Sequence, residues 1–98
     1  MRHQAATVHE LARVAELSVL PGETLIKLAR ELERHELDPG EELDVGARFA
    51  VVLAGLLNGP DGVLRPGDRA HGGLRALTPS AVATCDESTY DAIVSSDA

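Results

Sequence analysis

Val63-Leu64-Arg65-Pro66-Gly67-Asp68-Arg69-Ala70-His71-Gly72-Gly73-Leu74-Arg75-Ala76-Leu77 holds two apolar runs too short for helices, divided by a Pro-Gly corner and a Gly-Gly pair. Val63-Leu64 reads as a strand that must stop at Pro66-Gly67, because proline brings no amide to a ladder and Pro-Gly sets a turn. Leu74 to Leu77 reads as the next strand. Upstream, Asn58-Gly59-Pro60-Asp61-Gly62 is dense in turn signals. Before it, Leu56-Leu57 resume after a break at Gly55, and the continuous apolar run Phe49–Leu53 is expected as the central strand. Leu43 and Val45 alternate about Asp44, with period two, after the Asp38-Pro39-Gly40 corner. Downstream, Thr78-Pro79-Ser80 leads into a strand over Ala81–Cys85. Asp86 or Ser88 is placed to cap a short final helix carrying Tyr90, Ile93 and Val94.

The first third has a different period. Thr7 and Glu10 have capping-box spacing, so a short helix is expected from Thr7 to about Leu17. From Gly22 to Arg34, Leu25, Leu28, Ala29 and Leu32 follow i, i+3, i+4, i+7 and form one apolar stripe. Glu23, Lys27 and Glu31 are spaced four apart on the outer face, where such pairs add a little stability. The predicted organisation is a disordered tail over residues 1–6 and a single domain over 7–98. That domain has helices within 7–34, a β-roll over 36–85 and a terminal helix over 87–94. The fold class is α+β, with short N-terminal helices packed on an antiparallel β-roll or jelly-roll-like barrel and a short C-terminal helix.

Ninety-eight residues suffice for one modest core. One Phe, one Tyr and no Trp leave that core to Leu, Val and Ala. A net charge of −7 repels phosphate backbones and anionic headgroups, which speaks against nucleic acid or a membrane surface as partner. No apolar run reaches the roughly 20 residues that span a bilayer, and no secretory h-region opens the chain. One cysteine, Cys85, permits no internal disulfide, in keeping with a cytoplasmic location.

These landmarks, in this order, resemble the cyclic nucleotide-binding domains. Leu20-Pro21-Gly22-Glu23-Thr24-Leu25 with Leu28-Ala29 and Leu32 is similar to the helix before that family's roll. Leu37-Asp38-Pro39-Gly40-Glu41 resembles the corner that enters it, and Phe49-Ala50-Val51-Val52-Leu53-Ala54-Gly55 a strand ending in Gly. Val63-Leu64-Arg65-Pro66-Gly67-Asp68 is similar to the Leu-x-Pro-Gly-Asp turn. Leu74-Arg75-Ala76-Leu77-Thr78-Pro79-Ser80, Val82 and Tyr90-Asp91-Ala92-Ile93 are similar to the closing strands and following helix. The resemblance implies a cupin-like roll and, in the family, a phosphate-binding cassette between the Pro-Gly-Asp turn and the Arg-Ala-Leu-Thr strand. There a helix N-terminus, an Arg and a Glu hold the cyclic nucleotide. Here only Arg69-Ala70-His71-Gly72-Gly73 separates Asp68 from Leu74, too few residues for a strand end, a helical turn, the Glu and the Arg. Gly46-Ala47-Arg48 likewise replaces a longer corner. Cyclic nucleotide is therefore not expected as ligand.

The remaining candidates for anion contact are Arg69, Arg75 and the amides of Gly72 and Gly73, which could form a small nest. The plainer reading makes Arg69 a solvated turn residue and Arg75 an exposed strand residue. His71 lacks the neighbouring ligands a metal needs. Cys85 beside Asp86 and Glu87 has its thiolate disfavoured, against a nucleophilic role. Glu41-Glu42 and Asp86-Glu87 are adjacent pairs whose side chains diverge on a strand. No catalytic residue, metal or cofactor is expected. The expected function is a non-catalytic interaction or regulatory module acting through a protein partner or homodimer, since no effector segment is read within the 98 residues. The alternatives are a reduced small-ligand sensor, for a nucleotide or other anion, using the residual pocket near Arg69–Arg75, and a metal-dependent cupin-like enzyme.

Overall fold

The computed structural model describes Leu11 and residues 15–95. The expected tail and the start of the first helix lie outside them. The chain runs α1 (Ala15–Ser18), α2 (Gly22–Glu31), β1 (Glu33–Leu37), β2 (Glu42–Asp44), β3 (Phe49–Ala54), β4 (Leu57–Gly59), β5 (Gly62–Leu64), β6 (Gly73–Ala76), β7 (Ser80–Cys85) and α3 (Glu87–Ser95). The strands form two antiparallel sheets, β1-β7-β3 and β2-β6-β4-β5. This is the α+β roll expected from the sequence.

The three-stranded sheet has both faces covered. Phe49 and Val51 point to one side and join Leu17, Leu25, Leu28 and Leu32 of the helical layer. Ala50 and Val52 point to the other and join Leu57, Leu74, Ala76 and Val82 between the sheets. Successive strand residues face opposite ways, so a strand buried on both faces reads as an unbroken apolar run. All six residues of β7 are buried too, and β7, flanked by β1 and β3, holds the central place expected of Phe49–Leu53.

Two boundaries differ from expectation. Helix α2 stops at Glu31 rather than Arg34, with Leu32 in extended geometry and its amide bonded back to the Leu28 carbonyl. The roll therefore opens at Glu33 rather than at residue 36. Glu33-Arg34-His35-Glu36 has no β-branched or aromatic residue and no helix-stop signal. It becomes a strand by pairing with β7, Glu33 opposite Thr84 through Leu37 opposite Ser80, a tertiary override of weak local preference. Its charges also suit it to a sheet edge. The terminal helix runs one residue past the expected Val94, to Ser95. Among the described residues, none of the spaced pairs Glu23–Lys27 and Lys27–Glu31 closes as an ion pair. Exposed long side chains gain too little from such contacts to be held in one geometry.

Candidate functional site

The connection from β5 into the first residue of β6 carries three of the four candidate anion contacts, Arg69, Gly72 and Gly73. Arg65-Pro66-Gly67-Asp68 is a turn with Gly67 at φ +97°, a conformation that favours glycine. It is closed by the Asp68 amide on the Arg65 carbonyl at 3.0 Å and the Arg65 amide on Asp68 Oδ2 at 2.9 Å. The chain then runs extended along the free edge of β3. The Gly67 amide donates to the Val52 carbonyl (2.8 Å), the Val52 amide to the Asp68 carbonyl (2.9 Å) and the Ala70 amide to the Ala50 carbonyl (2.9 Å). Gly72, at φ +70°, donates its amide to the Gly46 carbonyl at 2.9 Å, and Val45 donates to the Gly72 carbonyl at 3.0 Å. The connection thus laces the first sheet to the second, and residues 68–73 contain no helical turn.

The four candidate anion contacts do not converge. Arg69 pairs with Val51 across an isolated bridge, which puts its side chain on the helix-facing side with Phe49 and Val51. Its guanidinium carbon lies 4.4 Å from the Phe49 ring centre and 5.3 Å from that of Tyr90, and Nη2 lies 3.8 Å from Glu87 Oε1. The two rings stack at 3.9 Å with 8° between their planes. Arg75 sits on the outward face of the second sheet, opposite Glu42 and Asn58, while its neighbours Leu74 and Ala76 point into the inter-sheet core. That core separates the two arginines. The Gly72 amide is spent on Gly46, and Gly73 lies opposite Asp44, an acidic neighbour that would repel an anion.

The constellation of Arg69, Phe49, Tyr90 and Glu87 was not read from the sequence. Its one available signal was that Phe49 and Tyr90 are the only aromatic residues in the chain. Physically it fastens the inter-sheet connection to the first turns of α3, a helix with no fully buried residue of its own. Replacing Arg69 with alanine removes a cation over an aromatic face, about 0.5–1 kcal/mol at a partly exposed site. The expected result is a melting temperature lower by several degrees for a domain of this size, with faster amide exchange in α3. Arg69→Lys should recover only part of it, because an ammonium lacks the planar stacking surface.

The other titratable candidates are accounted for. His71 Nε2 lies 3.1 Å from Asp61 Oδ2 on the surface, and His35 Nε2 lies 3.0 Å from Thr84 Oγ1. Cys85 is buried. Burial, with lesser help from Asp86 and Glu87 and against the pull of Arg48, pushes its thiol up to about 11 from the ordinary 9.0, far from the thiolate a nucleophile needs. Among the described residues no group of three metal-binding side chains gathers, and no helix is long and apolar enough to cross a membrane.

No family model matches the chain, and no curated protein does. Solved structures do. The regulatory subunit of a cAMP-independent protein kinase A from Trypanosoma cruzi, bound to guanosine, superposes with TM-score 0.68 at 19% identity over 90% of this chain. The chain has the cyclic nucleotide-binding fold. The cAMP-bound regulatory domain of Toxoplasma gondii protein kinase A matches with TM-score 0.67 at 18% identity over 93% of the chain. A cyclic nucleotide-binding-like protein from Brucella abortus matches with TM-score 0.59 at 20% identity, covering 90% of this chain and 97% of that one. The chain spans only 40% of the trypanosome subunit and 46% of the Toxoplasma domain.

Proposed function

We propose that this domain is a non-catalytic interaction and regulatory module that has lost cyclic nucleotide binding and works through a protein partner in the cytoplasm. The observation that carries the reading is the connection after Asp68. The amides of Ala70 and Gly72 are tied to the carbonyls of Ala50 and Gly46, and its guanidinium is turned onto Phe49 and Tyr90. A cyclic phosphate needs converging amides and a cation facing it. Binding one here would require stripping the connection from β3, at the expense of the hydrogen bonds that join the sheets. Regulatory subunits and a cyclic nucleotide-binding-like protein among the solved structures of this fold support a regulatory rather than catalytic role.

The second reading is a sensor of a small ligand near Arg69–Arg75. The guanosine bound to the trypanosome subunit supports it in so far as a protein of this fold holds a nucleoside. Thermal melts separate the readings. Ligand at 100 times Kd stabilises by about 2.7 kcal/mol, several degrees here. The expected result is an unchanged melting temperature with cyclic AMP, cyclic GMP, guanosine and divalent metal ions. A shift with either cyclic nucleotide would overturn the first reading, a shift with guanosine alone would establish the second, and a shift with metal would point to a cupin-like metal site.

A further inference from the structure

A groove of about 480 Å³ runs between α2 and α3, lined by no residue of the connection just described. One wall is Lys27, Arg30 and Glu31 of α2; the other is Ser88, Thr89, Ala92 and Ile93 of α3. Its size falls in the roughly 300–1,000 Å³ range of small-molecule sites, and its lining pairs charged and hydroxyl side chains with the apolar Ala92 and Ile93. Lys27 and Arg30 stand one turn apart on one helix face, where neighbouring side chains reach the same object. Both are exposed, and neither forms an ion pair with a described residue. In a chain of net charge −7, two cations against the single carboxylate of Glu31 in this lining leave a local excess of positive charge. On the facing α3 wall Ala92 and half-buried Ile93 supply apolar surface, and Ile93 packs on the helical core.

We propose that this groove binds a small amphiphilic organic monoanion, an alkyl or aryl carboxylate. Its head lies between Lys27 and Arg30 and its tail lies along Ala92 and Ile93. The single charge follows from Glu31. Its carboxylate offsets one of the two cations, leaving a net single positive charge that suits a monoanion and disfavours a phosphate monoester. The hydroxyl of Thr89 supplies a donor beside the head. This site is separate from the connection between the sheets and stands whether or not that connection binds a nucleotide.

Decanoate titrated into the full chain, followed by amide chemical shifts and calorimetry, is the test. Saturable one-to-one binding is expected, with Kd about millimolar or tighter given the few atoms an open groove can touch. The largest shifts should fall in α2 and α3. Lys27→Glu and Arg30→Glu, both at exposed positions that leave the melting temperature in place, should each weaken binding about tenfold through loss of a charge-assisted contact. Ala92→Trp should abolish it by filling the groove from the α3 wall. Arg75→Ala, on the outer face of the second sheet, should leave it unchanged. Absence of saturable binding would overturn the proposal. So would equal binding by Lys27→Glu, equal affinity for uncharged decanamide, or displacement of decanoate by inorganic phosphate.

Discussion

Gly55→Val is expected to be among the most destabilising single substitutions in the roll, lowering stability by about 3 kcal/mol or more. Gly55 joins β3 to β4 at φ +82°, a backbone region in which a side chain costs about 1–2 kcal/mol. It is also pressed against the start of β7. A Cβ there would lie 2.3 Å from the Pro79 carbonyl oxygen, 2.4 Å from Ser80 Oγ and 2.7 Å from Ser80 Cα. Two of those three atoms are main chain and cannot rotate away. Ser80 is itself held by its one Oγ–H, which is shared between the carbonyls of Thr78 at 2.7 Å and Leu56 at 3.2 Å, and the Leu56 amide donates to Thr78 Oγ1. Making room means displacing the entry to the central strand, an overpacking cost of about 1–3 kcal/mol on top of the backbone term. Against a total of about 5–15 kcal/mol for a domain, that is a large share. Gly40→Ala is the control, because Gly40 has φ +89° and open space where a Cβ would go. It should pay only the backbone term. Urea midpoints that fall equally for the two variants would show that the contact with Pro79 and Ser80 is not tight.

Phe49→Ala is expected to cost about 3–5 kcal/mol, the range for emptying a buried aromatic site. Phe49 has no exposed surface, and it is at once a core residue of the helical layer, the stacking partner of Tyr90 and the surface under Arg69. Its removal should act beyond its own cavity. With no fully buried residue in α3, the helix depends on Tyr90 and Ile93 for docking, and Tyr90 would lose its ring partner. Amide exchange in α3 should therefore approach the rate set by local opening, while β6 in the other sheet remains protected. Val52→Ala, in the inter-sheet core, should lower global stability without that selective loss. Uniform loss of protection in both variants would sink the idea that Phe49 fastens the terminal helix.

Much of this fold was legible in the residues, and the parts that were not share a cause. Helix α2 announced itself through Leu25, Leu28, Ala29 and Leu32, because helical periodicity is a local property. The corners at Pro66-Gly67 and Gly72 were visible because proline and glycine restrict or free the backbone wherever they occur. Strand β1 was hidden, since Glu33-Arg34-His35-Glu36 favours no strand until Thr84, Ala83, Val82 and Ala81 lie beside it. The same holds for Arg69. Its sequence neighbours, Asp68 and Ala70, say nothing of Phe49, Tyr90 or Glu87, and neither reading of it made beforehand, solvated turn residue or contact in a residual anion pocket, named those partners.

The sequence by itself determined that only five residues separate Asp68 from the strand at Leu74, and that a small roll of aliphatic strands carries helices at both ends. Both are matters of length, composition and local period. The tertiary structure alone decided which way that stretch faces. Because the residue opposite Val51 is Arg69, its side chain points to the helices and Ala70 to the inter-sheet core. A shift of one residue in that pairing would exchange the two faces. Register is set by contacts between residues far apart in the chain, and no local pattern encodes it.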